Sequence, residues 1–184
     1  MAKTVMVPIA QGTEEMEAVI IIDLLRRAGL RVDVVGEANI TTCSRGIKII
    51  PDMFYEDIDE NTIYDAIILP GGKQGVENLY RNTNLQDILS KHYENNGIIG
   101  AICAAPTLLY DLKLLKANTS LTSHPSVQSV FENYNYSENN VVISNAIITS
   151  RGAGTAIDFA LQLIDILADS ETADRVKAEI VYPH

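Results

Sequence analysis

The stretch Gly97-Ile98-Ile99-Gly100-Ala101-Ile102-Cys103-Ala104-Ala105-Pro106 decides how this chain is read. Ile98 to Ile102 is a short apolar run with the character of a buried strand. Cys103 follows it directly, and Ala104 to Leu112 reads as a helix. Pro106 suits the first helical turn, where its missing N–H is no loss. Small residues, Ala101, Ala104 and Ala105, surround the cysteine. A sharp strand-to-helix turn of this kind is a nucleophile elbow, which presents a reactive side chain. Free N–H groups and the dipole at a helix start stabilise a thiolate, so the Cys103 pKa is expected to fall. Position alone leaves a second reading open, a small buried hydrophobe.

Outward from the elbow, strand-like and helix-like runs alternate. Val5 to Pro8, Arg31 to Gly36, Ala66 to Leu69, Val141 to Ile143 and Ile147 to Thr149 read as strands. Glu14 to Ala28 is a helix closed by Gly29 in the position after the cap. Leu85 to Glu94, Thr155 to Leu167 and Glu171 to Ile180 are further helices. Ile40 to Ile50 holds two short strand-like runs around Ser44-Arg45-Gly46, a hairpin pattern. Glu132 to Asn140 is polar and reads as a surface loop. The alternation predicts an α/β fold, a mostly parallel sheet covered by helices on both faces. The whole chain, 1–184, is expected to be one domain. Ligands bind at the carboxyl ends of such strands. Gln11-Gly12-Thr13, Pro70-Gly71-Gly72 and the Cys103 turn all fall there and are expected to converge.

The composition narrows the classes. A net charge of −10 repels nucleic-acid phosphates and anionic lipid, which argues against nucleic-acid or membrane-surface binding. The chain is 47% hydrophobic and can bury a core without disulfides or metal. Its two cysteines, Cys43 and Cys103, are expected to stay reduced. His92, His124 and His184 are scattered, so no metal site is expected. No apolar run reaches the roughly 18 residues of a membrane span, and the N-terminus has no secretory pattern. A cytoplasmic address is the expectation.

Glu17 lies among Ile20, Ile21 and Leu24 on a helical wheel, which is the apolar face. Burial there would raise its pKa and let a protonated carboxyl donate to a thiolate or move protons. The other reading leaves it solvated near the helix start, as expected for Glu14 and Glu15. Val19 and Ile22 sit opposite that face, among charges, and suggest a homodimer contact. His124, in Ser123-His124-Pro125, is either a base near Cys103 or a loop histidine without a role. Gly71-Gly72, after a strand, could lend a backbone N–H to an oxyanion with the Ala104 N–H as its partner, or form an ordinary turn. In Gly152-Ala153-Gly154, Ile157 occupies the third glycine position of a dinucleotide motif, which excludes that reading.

Together these segments resemble the ThiJ/PfpI superfamily, in the branch of the Parkinson-disease protein deglycase, DJ-one. The resemblance is carried by Gly12-Thr13-Glu14-Glu15-Met16-Glu17, Cys43-Ser44-Arg45-Gly46, Leu69-Pro70-Gly71-Gly72, Ala101 to Pro106, Ser123-His124-Pro125 and Thr149 to Gly154. It implies a flavodoxin-like sandwich and a homodimer. It implies that Cys103 is an oxidisable nucleophile, Glu17 its hydrogen-bonding carboxyl, His124 a pocket residue, and Gly72 and Ala104 the oxyanion hole. Glu14, Arg27 and Arg45 become candidates for the pocket rim and dimer interface. Ala153 departs from the proline common in the family. The implied activity is a cysteine-dependent, cofactor-free glyoxalase or deglycase acting on methylglyoxal, glyoxal or early glycation adducts. Redox sensing or chaperone action without a dedicated substrate is the alternative. Peptidase action and thiamine-precursor metabolism rank lower. Peptidase relatives carry histidine where this chain has Ala104, and amidotransferases use His-x-Glu where this chain has His124-Pro125-Ser126.

Overall fold

The computed structural model describes residues 3–59 and 62–183, so Met1, Ala2 and His184 lie outside it. The first half contains β1 (Thr4–Pro8), α1 (Glu15–Arg27), β2 (Arg31–Gly36), β3 (Thr41–Thr42), β4 (Lys48–Ile49), β5 (Met53–Phe54), β6 (Ala66–Leu69), α2 (Lys73–Arg81) and α3 (Thr83–Glu94). The second contains β7 (Ile98–Ile102), α4 (Pro106–Asp111), β8 (Ser120–Leu121), β9 (Asn135–Tyr136), β10 (Val141–Ser144), β11 (Ile147–Ser150), α5 (Ala156–Leu167) and α6 (Ser170–Glu179). Seven strands make the main sheet, in the order β10-β11-β7-β6-β1-β2-β5. All pairs are parallel except the β10–β11 hairpin. This is the expected flavodoxin-like α/β arrangement.

The strands form where β-branched residues cluster, and their period of two sends side chains to alternate faces. Val5 and Val7 join Ile21, Leu25, Phe159 and Ile164 on one face. Met6, Ile67 and Leu69 join Leu79, Leu89, Leu108 and Phe131 on the other. Helices α1, α5 and α6 therefore cover one side, and α2, α3 and α4 the other. Each fully buried Leu, Ile or Phe contributes about 1.5–3 kcal/mol.

Several local expectations need correction. The helix read from Ala104 begins only at Pro106, because Ala104 and Ala105 form the turn that leads into it. α3 starts two residues before Leu85, where the Asn82 side chain accepts the Leu85 N–H at 2.8 Å. α2 was not anticipated, and neither were the two-residue strands β5, β8 and β9, which are too short to show a period. Residues 132–140 are not a free loop. Tyr136 pairs with Leu121 between β9 and β8, stacks on Phe131 at 6.5 Å, and donates its hydroxyl to the Ser123 carbonyl at 3.0 Å.

Candidate active site

Strands β11, β7, β6 and β1 are neighbours, so their carboxyl ends deliver four loops to one place. Two of the loops interlock. Gly72 has φ +89°, and a side chain there would begin 2.6 Å from the Glu14 nitrogen. Gly75 faces Thr13 so closely that a Cβ would lie 2.6 Å from the Thr13 Cα. Glu14 N–H donates to the Gly71 carbonyl at 2.9 Å, tying the start of α1 to the end of β6. The three loop signals read from the sequence do converge.

Cys103 occupies the turn after β7 with φ +64°. A non-glycine residue in this left-handed region is strained by about 1–3 kcal/mol. Hydrogen bonds hold it there: its N–H donates to the Ser150 carbonyl at 3.0 Å, and its carbonyl accepts from His124 N–H at 2.8 Å. The Gly72 and Ala104 amides donate toward the sulfur. The expected fall in thiol pKa is not found. Burial, then the nearby Glu17 carboxylate, push Cys103 from 9.0 up to about 12, against the pull of the two amides. The helix-dipole argument fails because α4 is six residues long and starts three residues beyond the cysteine.

Glu17 is fully buried, which agrees with its place on the apolar face of α1. Its Oε2 accepts the Gly71 N–H at 2.8 Å. Its Oε1 is buried without a hydrogen-bond partner, and the Cys103 thiol helps to hold the carboxylate. Burial dominates and pushes the carboxyl from 4.5 up to about 7. The Glu17 charge opposes ionisation of the thiol, so near neutrality the pair carries at most one negative charge.

His124 is solvent-exposed and its Nδ1 lies 2.8 Å from the Ser126 hydroxyl. Its ring nevertheless reaches the crevice. Gly152, just past β11, faces all three groups. The point where a side chain at Gly152 would begin is 3.5 Å from His124 Cδ2, 3.9 Å from Glu17 Oε1 and 4.0 Å from Cys103 Sγ. Cys103, Glu17 and His124 thus surround one small space.

The remaining candidates divide. Glu14 sits at this site: its carboxylate accepts from Ser44 Oγ at 2.5 Å and adds to the rise of Glu17. Glu15 is buried, against expectation, because the β3–β4 hairpin closes over it. It accepts from Ser44 Oγ at 2.7 Å and from the Arg45 N–H at 2.8 Å. Burial raises its pKa, and these hydrogen bonds more than reverse the rise. Arg45 is thereby fixed beside the start of α1. Arg27 is not brought to the site by its own chain. It ends α1, about 15 Å along the helix from Glu17, and pairs with Asp23 at 2.7 Å.

Met16 (55% exposed) and Val19 (49%) stand out from α1, and Ile47 and Ile50 are likewise exposed, whereas Ile22 packs partly on the core. Both cysteines are free, and burial, then the nearby Glu15 and Glu14 carboxylates, push Cys43 up to about 11. A surface groove of about 880 Å³ beside Asn140, Asp158 and Lys177 touches none of Cys103, Glu17 and His124. Among the described residues, no cluster of three or more His, Cys, Asp or Glu could hold a metal, and no helix is long and apolar enough to cross a membrane.

Sequence reasoning offered Gly71-Gly72 as an amide donor to an oxyanion but not the bond from the Gly71 N–H to Glu17, and it gave Gly152 no part in the site. Both lay inside recognised motifs, but a glycine's role depends on neighbours that only the fold supplies.

The pattern of the DJ-1/PfpI family matches residues 3–166. The Parkinson disease protein 7 homolog of Danio rerio is 39% identical over 184 residues, covering 97% of each chain. A Caenorhabditis elegans protein named glutathione-independent glyoxalase DJR-1.2 is 35% identical, over 88% of this chain and 86% of its own. The crystal structure of Drosophila melanogaster DJ-1beta superposes with a TM-score of 0.94 at 37% identity, each chain covered in full.

Proposed function

Since the chain belongs to the DJ-1/PfpI family, we propose that it is a cysteine-dependent, cofactor-free glyoxalase that converts methylglyoxal or glyoxal to the hydroxy acid. The observation that carries this reading is the small space bounded by Cys103 Sγ, Glu17 Oε1 and the His124 ring. The nematode relative's name, glutathione-independent glyoxalase, supports it.

The reactive form has the proton on Glu17 and the charge on Cys103. The sulfur attacks the aldehyde carbon, a C–S bond forms, and the C=O pair moves onto oxygen beside the Gly72 and Ala104 amides. Glu17 delivers its proton there, which gives a hemithioacetal. The resulting carboxylate removes the hydrogen on that carbon as a proton and returns it to the neighbouring carbon through an enediol. The first carbon is thereby oxidised and the second reduced, leaving a thioester of a hydroxy acid. Water adds to the thioester, the C–S bond breaks, and the thiolate is restored. One water is consumed and no outside oxidant is needed. A carboxyl poised near 7 suits both proton transfers. Early glycation adducts carry the same carbonyl chemistry and are a second substrate class for this site.

The test is lactate formation from methylglyoxal by the purified protein without added glutathione. In D2O, deuterium on C2 of the lactate supports transfer as a proton that exchanges with solvent while on Glu17; a Glu17→Gln variant that forms lactate as fast as wild type rules that route out.

A second reading, redox sensing, is favoured by the amides aimed at the sulfur, which would hold the oxygens of a sulfinate. Mild peroxide should then add two oxygens at Cys103. The protein works in the cytoplasm as a homodimer on this account, with Met16, Val19, Ile47 and Ile50 in the contact and Arg27 and Arg45 near the joint. Sedimentation at micromolar concentration tests the assembly: a monomer there contradicts it.

A further inference from the structure

The point where a side chain at Gly152 would begin lies inside the space enclosed by the three reactive groups, at 3.5–4.0 Å from each. A substrate carbon bonded to Cys103, together with its neighbour and substituents, must occupy that same space. The space is open because residue 152 has no side chain. Nothing in the backbone demands glycine there. Gly152 has φ 166° and ψ −169°, extended values that any residue adopts. A methyl group would make only ordinary contacts with the groups around it.

The direction of that missing side chain is fixed. Thr155 clamps the loop: its Oγ1 accepts the Arg151 and Gly152 N–H groups at 3.2 and 3.1 Å. Its backbone N–H donates to the Gly152 carbonyl at 2.8 Å. A methyl at residue 152 would therefore stay in the crevice rather than swing away.

We infer that Gly152 is the specificity-determining residue of this site, setting how large a group can ride on the carbon next to the reacting carbonyl. The inference takes the proposed carbonyl chemistry as its premise, but the size limit applies to any electrophile that reaches Cys103. Glyoxal carries only hydrogen at that place, methylglyoxal a methyl and phenylglyoxal a ring. Glycine admits the series; alanine would cut it off from the large end.

The experiment compares wild type with Gly152→Ala. For the variant, kcat/KM should fall less than about threefold with glyoxal and at least about tenfold with phenylglyoxal, the range one methylene of pocket volume commands. The readout independent of turnover is alkylation of Cys103, followed by peptide mass, with N-methylmaleimide and N-phenylmaleimide. These share a reactive group and differ in bulk. The phenyl reagent should slow about tenfold more than the methyl one. An equal fall for both carbonyls, or equal slowing of both reagents, overturns the inference. If the wild type already excludes the phenyl reagent, the inference also fails, without recourse to a variant. If wild type turns over no dicarbonyl, the glyoxalase reading fails while the alkylation pair still decides the role of Gly152.

Discussion

Glu17 and Cys103 hold one negative charge between them: burial lifts the carboxyl to about 7, and its charge helps to lift the thiol to about 12. The pair ionises once near neutrality, and the thiolate exists when Glu17 keeps the proton. In the proposed mechanism the carboxyl is therefore both acid and gatekeeper of the nucleophile.

Alkylation of Cys103 should accordingly rise with pH around a midpoint near 7, set by the pair. Glu17→Gln removes the group that titrates there. The rate should then follow the thiol alone, whose burial holds it above the ordinary 9.0. Iodoacetamide kinetics across pH 5–10 check this, and an unchanged midpoint in the variant contradicts it.

The same burial makes Glu17 a source of instability. Between 4.5 and about 7 the unfolded chain has lost the proton and the folded chain retains it, so the folded state weakens as pH rises through that window. The shift corresponds to about 3 kcal/mol. Glu17→Gln should therefore melt higher than wild type at pH 8, with the advantage gone at pH 4. Thermal unfolding at the two pH values is the measurement.

Gly71→Ala should damage the site directly. The added methyl would sit 2.6 Å from both Cys103 Cβ and Glu17 Oε2. Overpacking of this kind costs about 1–3 kcal/mol. Displacing the pair should lower kcat about a hundredfold. Urea unfolding and turnover report the two effects separately.

His124→Ala should be milder than Glu17→Gln. The imidazole is exposed and presents Cδ2 to the crevice, with Nδ1 engaged by Ser126. Loss of the proton-carrying carboxyl should cost about a hundredfold or more. If His124→Ala costs more than Glu17→Gln, the histidine is the proton carrier.

How far the sequence could be read follows from the range of the forces involved. Strand Ile98–Ile102 and the burial of Glu17 were legible because local sequence encodes them, the first as an apolar run and the second as a helical period. Glu15 was misread because the hairpin that buries it comes 30 residues later in the chain. The thiol was expected to acidify because a helix start was placed at Ala104; the turn at Ala104–Ala105 displaces that helix, and Glu17 brings an opposing charge from another element. Gly152 carried no signal, since an absent side chain acquires meaning only from what surrounds it. The mostly parallel sheet with helices on both faces, by contrast, follows from alternation along the chain, while its flavodoxin-like character came from the family resemblance.

The central claim is that the Cys103 thiolate attacks the dicarbonyl. It is tested most directly by lactate formation from methylglyoxal in wild type and Cys103→Ala, purified identically and free of other glyoxalases. Wild type should produce lactate, and the variant should fall to the rate without protein. A variant as fast as wild type would contradict the account.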